Sequence, residues 1–378
     1  MKLLCLQKNL NHALMIGEKI ISRSINLPIL SNILLETDQG RLKISSTNLE
    51  IGITSWIGAK IEKEGALAVP IKPLSSFIAS LPNKKINLEI NKSVLNIKCG
   101  SMEANIKGLS AEDFPLIPQI KEPYFIKIKS QILKNALSQV IPAVAISETR
   151  PEITGVFFNF NKTKSDRFIL AATDSYRLAE KTVKLKNSSD IKEEKQDRKA
   201  SEKTIIIPRV TVQELIRILP EEGEVAISLS ENQILFNFEA TNLVSRLIEG
   251  TYPDYKQIIP TTFKTKTIIN TNELINSIKI ASFFTNARIN SIQLKIKPKD
   301  TLEISSETGD IGSNLSRLTA EIEGKEERIT FNWRYVLDGL NNITTEKVIL
   351  ETNGPNSPSL LRPADGEDYI YIIMPIKS

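Results

Sequence analysis

The sequence predicts an α+β protein made of three copies of one unit, each with two helices and a β-sheet. Three observations predict it. A helical apolar register recurs three times along the chain, a second such register precedes it each time, and stretches of strict alternation lie between the two. The chain has 378 residues. A single core stops growing near ~250–300 residues, so several modest cores are expected.

The first helix of each copy is read from Leu10, Ala13, Leu14 and Gly17, then from Leu133, Ala136, Leu137 and Val140, then from Leu274, Ser277, Ile278 and Ala281. Each set follows the i, i+3, i+4, i+7 spacing that lines side chains up on one helical face. The second helix is read from Leu74, Phe77, Ile78 and Leu81. It returns 138 residues later as Val212, Leu215, Ile216 and Leu219, and another 121 residues on as Trp333, Val336, Leu337 and Leu340. Flanking landmarks agree: Pro70, Pro82 and Phe114-Pro115 recur, displaced by 138, as Pro208, Pro220 and Tyr252-Pro253.

Between the helices the apolar period falls to two, the signature of half-buried strands. Ile86, Leu88 and Ile90 pair with Leu95, Ile97 and Cys99 across Asn91-Lys92-Ser93. Val225, Ile227 and Leu229 pair with Ile234, Phe236 and Phe238 across Ser230-Glu231-Asn232. A further strand set aligns Leu42 to Ser46, Ile169 to Thr173 and Leu302 to Ser306, each ending in small polar residues. The copies therefore span 1–121, 122–260 and 261–378, with proline-marked joints near Pro118 to Pro123 and Pro260 to Phe263. Residues 184–203 are a charged stretch too poor in apolar residues to bury itself, and read as a solvated loop inside the second copy.

Composition narrows the function. Hydrophobic residues make up 41% and charged residues 25%, ordinary globular values. His12 is the single histidine, which removes the commonest general base and transition-metal ligand from the rest of the chain. Cys5 and Cys99 form no CxxC and have no histidine cluster, so neither a metal site nor a disulfide framework is built from them, and they read as small buried hydrophobes. The net charge of +5 is a slight excess of 49 cations over 44 anions and by itself selects no partner. Polar Gln7, Lys8, Asn9, Asn11 and His12 interrupt the first stretch where a signal peptide needs an apolar run, and no 18-residue apolar run occurs. The chain is expected in the cytoplasm, with no membrane partner.

Four local motifs then carry a resemblance. Leu27-Pro28-Ile29-Leu30-Ser31-Asn32, Ala172-Thr173-Asp174-Ser175-Tyr176-Arg177-Leu178-Ala179, Tyr252-Pro253-Asp254-Tyr255 and Tyr371-Ile372-Ile373-Met374-Pro375-Ile376 resemble, in order, the signatures of the bacterial DNA polymerase III beta-subunit family, the sliding clamps. The likeness covers the whole chain. Two departures stand out: Ser175-Tyr176 where relatives often carry Gly-His, and Gln257 where an Arg is common.

The resemblance implies a DNA clamp fold and a head-to-tail homodimer closing into a ring whose helices line the hole. It implies a processivity factor that encircles double-stranded DNA without reading sequence, with no catalytic residue, metal or cofactor of its own. Implied partners are the replicative polymerase catalytic subunit, an ATP-driven clamp loader and other proteins carrying a clamp-binding motif. Their peptide would enter a pocket of Ile153, Thr173, Ser175, Tyr176, Arg177, Leu178, Pro253, Ile258, Asn332, Tyr335, Pro358, Ile372, Ile373, Met374, Pro375 and Ile376. Candidate DNA-facing cations are Lys19, Arg23, Lys72, Lys134, Arg150, Arg209, Arg217, Lys279 and Arg334, of which Arg217 and Arg334 lie off their helices' apolar faces, where a solvated cation is equally expected. The ring contact would join the strand around Ala104 and Ile106 to Phe283 and Phe284 of the partner, two residues that could equally be ordinary core.

Two other readings compete. Asp174, Tyr176 and Arg177 could form an acid/base group with an anion-binding cation, but no nucleophile elbow, P-loop, GxGxxG after a strand or HExxH accompanies them. A sequence-specific DNA binder would need a helix-turn-helix, zinc finger or basic zipper pattern, and none is present.

Overall fold

The computed structural model describes residues 1–21, 27–120, 125–147, 149–160, 167–185, 203–286, 290–297, 300–309, 311–366 and 368–377. Arg23 and nearly all of the charged stretch 184–203 lie outside these residues.

In the first repeat run β1 (Lys2–Leu6), α1 (Gln7–Glu18), β2 (Asn32–Asp38), β3 (Arg41–Thr47), β4 (Ile51–Lys63), β5 (Ala66–Pro70), α2 (Ile71–Ser80), β6 (Lys85–Asn91), β7 (Val94–Cys99) and β8 (Met102–Lys107). The second repeat holds β9 (Ile126–Lys129), α3 (Ser130–Val140), β10 (Gly155–Phe160), β11 (Arg167–Thr173), β12 (Arg177–Lys184), β13 (Lys203–Pro208), α4 (Arg209–Ile218), β14 (Glu224–Leu229), β15 (Gln233–Phe238) and β16 (Thr241–Arg246). The third holds β17 (Thr265–Asn270), α5 (Thr271–Ser282), β18 (Ser291–Lys297), β19 (Thr301–Thr308), β20 (Gly312–Thr319), β21 (Glu321–Glu323), β22 (Glu327–Asn332), α6 (Trp333–Leu340), β23 (Lys347–Thr352), β24 (Ser359–Pro363) and β25 (Tyr369–Ile373). Among the described residues each repeat thus carries two α-helices and more strand than helix, an α+β fold.

The first-helix register is met in full. All twelve residues predicted to face inward on α1, α3 and α5 are buried. The second-helix register needs one correction. α2, α4 and α6 start directly after Pro70, Pro208 and Asn332, which sets Val336, and not Trp333, opposite Leu74 and Val212. Val336 is 3% exposed whereas Trp333 is half-buried. The sequence alignment ran three residues early because three is close to the 3.6-residue turn, so both registers keep nearly the same face inward.

The strands assemble differently from the repeats. The chain divides into two compact units, 1–131 with 189–196 and 213–247, and 132–188 with 197–212 and 248–378. In the first unit a twelve-stranded antiparallel sheet runs β8-β7-β6-β1-β4-β16-β15-β14-β9, with β3, β2 and β5 branching from β4. β4 is 13 residues long and serves both β1, from Ala59 to Lys63, and β16, from Ile51 to Ser55. Two-residue turns set the registers of its hairpins. Gln39-Gly40 sits between paired Asp38 and Arg41 with both φ angles positive, the backbone that a two-residue hairpin demands. Leu10, Leu14, Leu35, Leu74, Ile78, Leu88 and Leu95, none more than 0% exposed, form the core between α1, α2 and the sheet. Each such side chain contributes roughly 1.5–3 kcal/mol on leaving water. Cys5 and Cys99 are free and buried in it, and burial pushes the Cys5 thiol up to about 12.

In the second unit a nine-stranded antiparallel sheet runs β13-β10-β11-β12-β25-β24-β23-β17-β21, and a separate four-stranded sheet runs β20-β19-β18-β22. α5 and α6 pack together in this unit. Asn270 and Asn332 cap them, each side chain accepting backbone N–H groups of the first turn. Among the described residues no helix is long and apolar enough to cross a membrane, and no group of three or more His, Cys, Asp or Glu could hold a metal ion.

Candidate functional site

The second unit gathers most of the predicted pocket residues around the turn from β11 to β12. Thr173, 7% exposed, closes that turn with its hydroxyl, which accepts from Ser175 N at 3.1 Å and donates to the Arg177 carbonyl at 2.7 Å. Asp174 Oδ1 accepts from Tyr176 N and Arg177 N, both at 3.0 Å. These bonds hold Ser175 in the left-handed region at φ 75° and push Tyr176 outward, where it is 62% exposed.

Arg177 is the hub. Its Nε donates to Asp174 Oδ2 at 2.9 Å, its Nη1 donates to Asp338 on α6, and the same nitrogen lies 3.4 Å from the Tyr371 hydroxyl. The guanidinium lies 4.4 Å from the centre of the Tyr335 ring, and Tyr335 in turn stacks on Tyr176 at 6.4 Å. Burial pulls the guanidinium towards neutrality, but Tyr371, Asp338 and Asp174 more than reverse that and hold it above its ordinary range. Burial, with Asp174 nearby, also raises Tyr335.

β25 lies beside β12 with Arg177 opposite Ile373 and Leu178 opposite Ile372. The chain leaving β25 is tied back by Met374 N to the Tyr176 carbonyl at 2.9 Å and by Ile376 N to the Thr330 carbonyl at 2.8 Å. Under this surface lies an apolar cluster that includes Ile153, Ala171, Leu178, Tyr252, Tyr255 and Ile372. Phe157 stacks on Tyr252 at 4.8 Å and meets Tyr255 edge-on at 6.1 Å. The Tyr255 hydroxyl and Lys256 both donate to Glu180, itself only 9% exposed, and burial followed by that carboxylate raises Tyr255.

The predicted pocket residues therefore sort into three groups. Ile153, Thr173, Leu178, Ile372 and Ile373 are buried; Ser175, Tyr176 and Ile258 are exposed; Arg177, Pro253, Asn332, Tyr335, Pro358, Met374, Pro375 and Ile376 are half-buried. Sequence reading leaves out of the site Asp338, which no motif marks, and Tyr371, which opens the terminal motif; both fix Arg177. Arg150, expected among the DNA-facing cations, lies on a loop, donating to Ser175 Oγ at 3.4 Å and to Glu152 at 3.0 Å.

The other cations fall mostly on helices. Lys19 caps the C-terminus of α1, Lys72 opens α2, Arg217 closes α4, and all three are exposed. Lys134 on α3 and Arg209 at the start of α4 are half-buried, while Lys279 on α5 and Arg334 on α6 are exposed, the latter 5.3 Å from its neighbouring Trp333 ring. Ala104 and Ile106 lie half-buried on β8, the terminal strand of its sheet. Phe283 is 71% exposed just after α5 and Phe284 is half-buried. Elsewhere, in the first unit, the segment Ala111 to Ile120 roofs a cleft of about 580 Å³ over β2, β3 and β4, lined by none of the predicted pocket residues.

Comparison with known proteins is consistent across sequence and structure. Models of the DNA polymerase III beta subunit match its N-terminal domain at residues 1–118, its central domain at 127–254 and its C-terminal domain at 256–377. The beta sliding clamp of Bacillus subtilis is 32% identical over 372 residues, covering 95% of both chains, and that of Synechococcus elongatus is 29% identical over 384 residues, covering 100% of this chain and 99% of that one. The crystal structure of the Bacillus subtilis DNA polymerase sliding clamp superposes with a TM-score of 0.92 at 30% identity, over 100% of this chain and 99% of that one. A putative DNA polymerase III beta subunit from Eubacterium rectale gives 0.91 at 28% identity over the full length of both. With three domain models spanning it and a 32% identical relative covering nearly all of it, the chain belongs to the DNA polymerase III beta-subunit family, the beta sliding clamps.

Proposed function

We propose that two copies of this chain close head to tail into a ring around duplex DNA and tether the replicative polymerase through the Arg177 pocket. As a member of its family the chain is the non-catalytic processivity subunit of DNA polymerase III, acting in DNA replication. The observation that carries the ring is two terminal strands flanked by exposed apolar side chains. β8 ends one path of the first unit's sheet and β20 ends one side of the four-stranded sheet of the second, and among the described residues neither has a ladder partner on its outer side. A heterologous contact between two such different edges closes into a ring when its rotation permits. Exposed apolar side chains accompany both: Met102 at 46% on β8, and Phe283 at 71%, Ile311 at 62% and Leu315 at 48% by or on β20. Ala104 and Ile106 on one copy would then meet Phe283 and Phe284 of the other.

In that ring Lys19, Lys72, Lys134, Arg150, Arg209, Arg217, Lys279 and Arg334 face the duplex, with Arg23 as a further candidate outside the described residues. Phosphate contacts of this kind read no sequence and weaken with salt, which suits sliding, since the ring is held by topology. Polymerase, ATP-driven loader and other clamp-binding proteins each insert a short apolar peptide over the buried floor of Ile153, Leu178 and Ile372, between the Tyr176 and Tyr335 rings and the Met374 segment. Two or three apolar anchors at ~1.5–3 kcal/mol each, less the ordering of a flexible tail, give roughly micromolar affinity, weak enough for partners to exchange in the cytoplasm. The test is retention of the loaded protein on nicked circular DNA in high salt, before and after linearisation. Release on cutting supports the ring; salt-sensitive binding that ignores the cut refutes it.

A further inference from the structure

Glu214 in the first unit stands out from the residues around it on α4. It is 6% exposed, and its near neighbours Val212, Leu215, Ile218 and Leu219 are buried and apolar. Its Oε1 accepts from Arg217 Nη1 at 2.7 Å, while its Oε2 is buried without a hydrogen-bond partner. The charged groups acting on it are Arg217, on its own helix, and Lys19, which caps α1. Arg217 is 58% exposed and Lys19 is also exposed. A carboxylate oxygen kept from water with no donor is costly, and an apolar side chain at this position would avoid that cost.

We propose that Glu214 is a proton-linked counter-ion that sets how much of the charge of Lys19 and Arg217 the clamp offers to duplex DNA. Ionised, it offsets both cations; protonated, it releases them. It is a positioning residue for Lys19 and Arg217, and the proposal rests on the reading that these two face the duplex. Burial raises its carboxyl against the opposing pull of Arg217 and Lys19, and DNA phosphates brought nearby raise it further. Binding DNA therefore takes up protons, and affinity rises as pH falls.

The test is equilibrium anisotropy of the full-length protein with a linear fluorescent duplex in low salt, titrated with salt at pH 5.5 and pH 8. Every protein in the series carries His12→Gln, which removes the single histidine. The reference protein should bind more tightly at pH 5.5, and Glu214→Gln should bind roughly 3- to 10-fold more tightly at pH 8, with the pH dependence lost. Its salt slope should steepen by about 1 to 2, at ~0.9 per phosphate neutralised, and adding Arg217→Ala should return about half of that. A reference protein with flat pH dependence, or a Glu214→Gln variant that binds no tighter at pH 8, overturns the proposal. Lys19→Ala and Arg217→Ala separate the two readings. If neither weakens binding, the DNA-facing reading of these residues fails; if they weaken it and Glu214→Gln does not strengthen it, only the counter-ion fails.

Discussion

Replacing Gly339 by alanine should loosen the partner pocket from beneath. Gly339 lies in the last turn of α6, and a Cβ built on it would meet the Tyr371 ring at 2.5 Å from Cδ1, 2.7 Å from Cε1 and 2.9 Å from Cγ. The ring has no ready escape: Tyr371 is 0% exposed, it is paired with Ala179 across β12 and β25, and its hydroxyl lies 3.4 Å from Arg177. Overpacking of this kind costs about 1–3 kcal/mol, and the alanine recovers about 1 kcal/mol of helix propensity, for a net loss of up to about 2 kcal/mol. For a unit of this size that lowers Tm by up to roughly 8 °C. The larger effect is functional. Tyr335 and Asp338 ride on the same helix, so a displaced α6 moves both away from Arg177 and the rim opens. Differential scanning fluorimetry should show the lower Tm, and fluorescence polarisation of a clamp-binding peptide should show an affinity loss larger than the stability loss alone explains. An unchanged Tm with unchanged peptide affinity would refute the claim that Gly339 is required by the close approach of Tyr371.

Four further outcomes follow from the same geometry. Arg177→Lys cannot replace a guanidinium that serves two carboxylates and a ring face, so it should weaken peptide binding nearly as much as Arg177→Ala, each destabilising by about 1–3 kcal/mol in urea unfolding. Tyr176→Ala should leave stability within about 0.5 kcal/mol, because the ring is exposed, yet weaken the peptide by roughly 3- to 10-fold through loss of the stacked pair. Phe283→Asp should give a folded protein whose sedimentation shifts to the monomer and which no longer stays on nicked circles, since an exposed ring is lost from the edge contact only. Above pH ~9 the unfolded chain ionises groups that the fold keeps neutral, namely Cys5, pushed up to about 12 by burial, and Tyr252, Tyr255, Tyr369 and Tyr371, all raised chiefly by burial. Their contribution is fully present below that pH and lost as pH rises towards 12, so the urea midpoint should fall steadily between pH 9 and 11, less steeply in Cys5→Ala.

What the sequence made legible was local. Helical spacing marked Leu10 to Gly17 and its two counterparts, because four contacts on one face repeat within three turns. Alternation marked the hairpin from Ile86 to Cys99, because a two-residue turn fixes the register. Where two patterns nearly coincide the reading slipped, and α6 was aligned a turn early on Trp333. The pairing of β4 with β16 was invisible, since Ile51 and Ser245 are joined by no periodicity, only by the fold. The same limit applied to the site. The motif from Ala172 to Ala179 located the turn, but the partners of Arg177 on α6 and β25 lie 161 and 194 residues away. Arg150 enters the DNA-facing set by charge alone, and its bonds to Glu152 and Ser175 have no signature in the spacing.

The sharing of the second repeat between two sheets bears on how the chain is made. β14, β15 and β16 complete a sheet begun by β1 and β4, so they find a template already synthesised when they emerge from the ribosome. β12 finds β11 on one side, but its other neighbour β25 is translated long afterwards, and until then Arg177 to Lys181 present one bare strand edge. Maturation of the pocket is thus delayed to the close of synthesis, and an abortive product ending before Tyr369 would carry an adhesive edge and no partner groove.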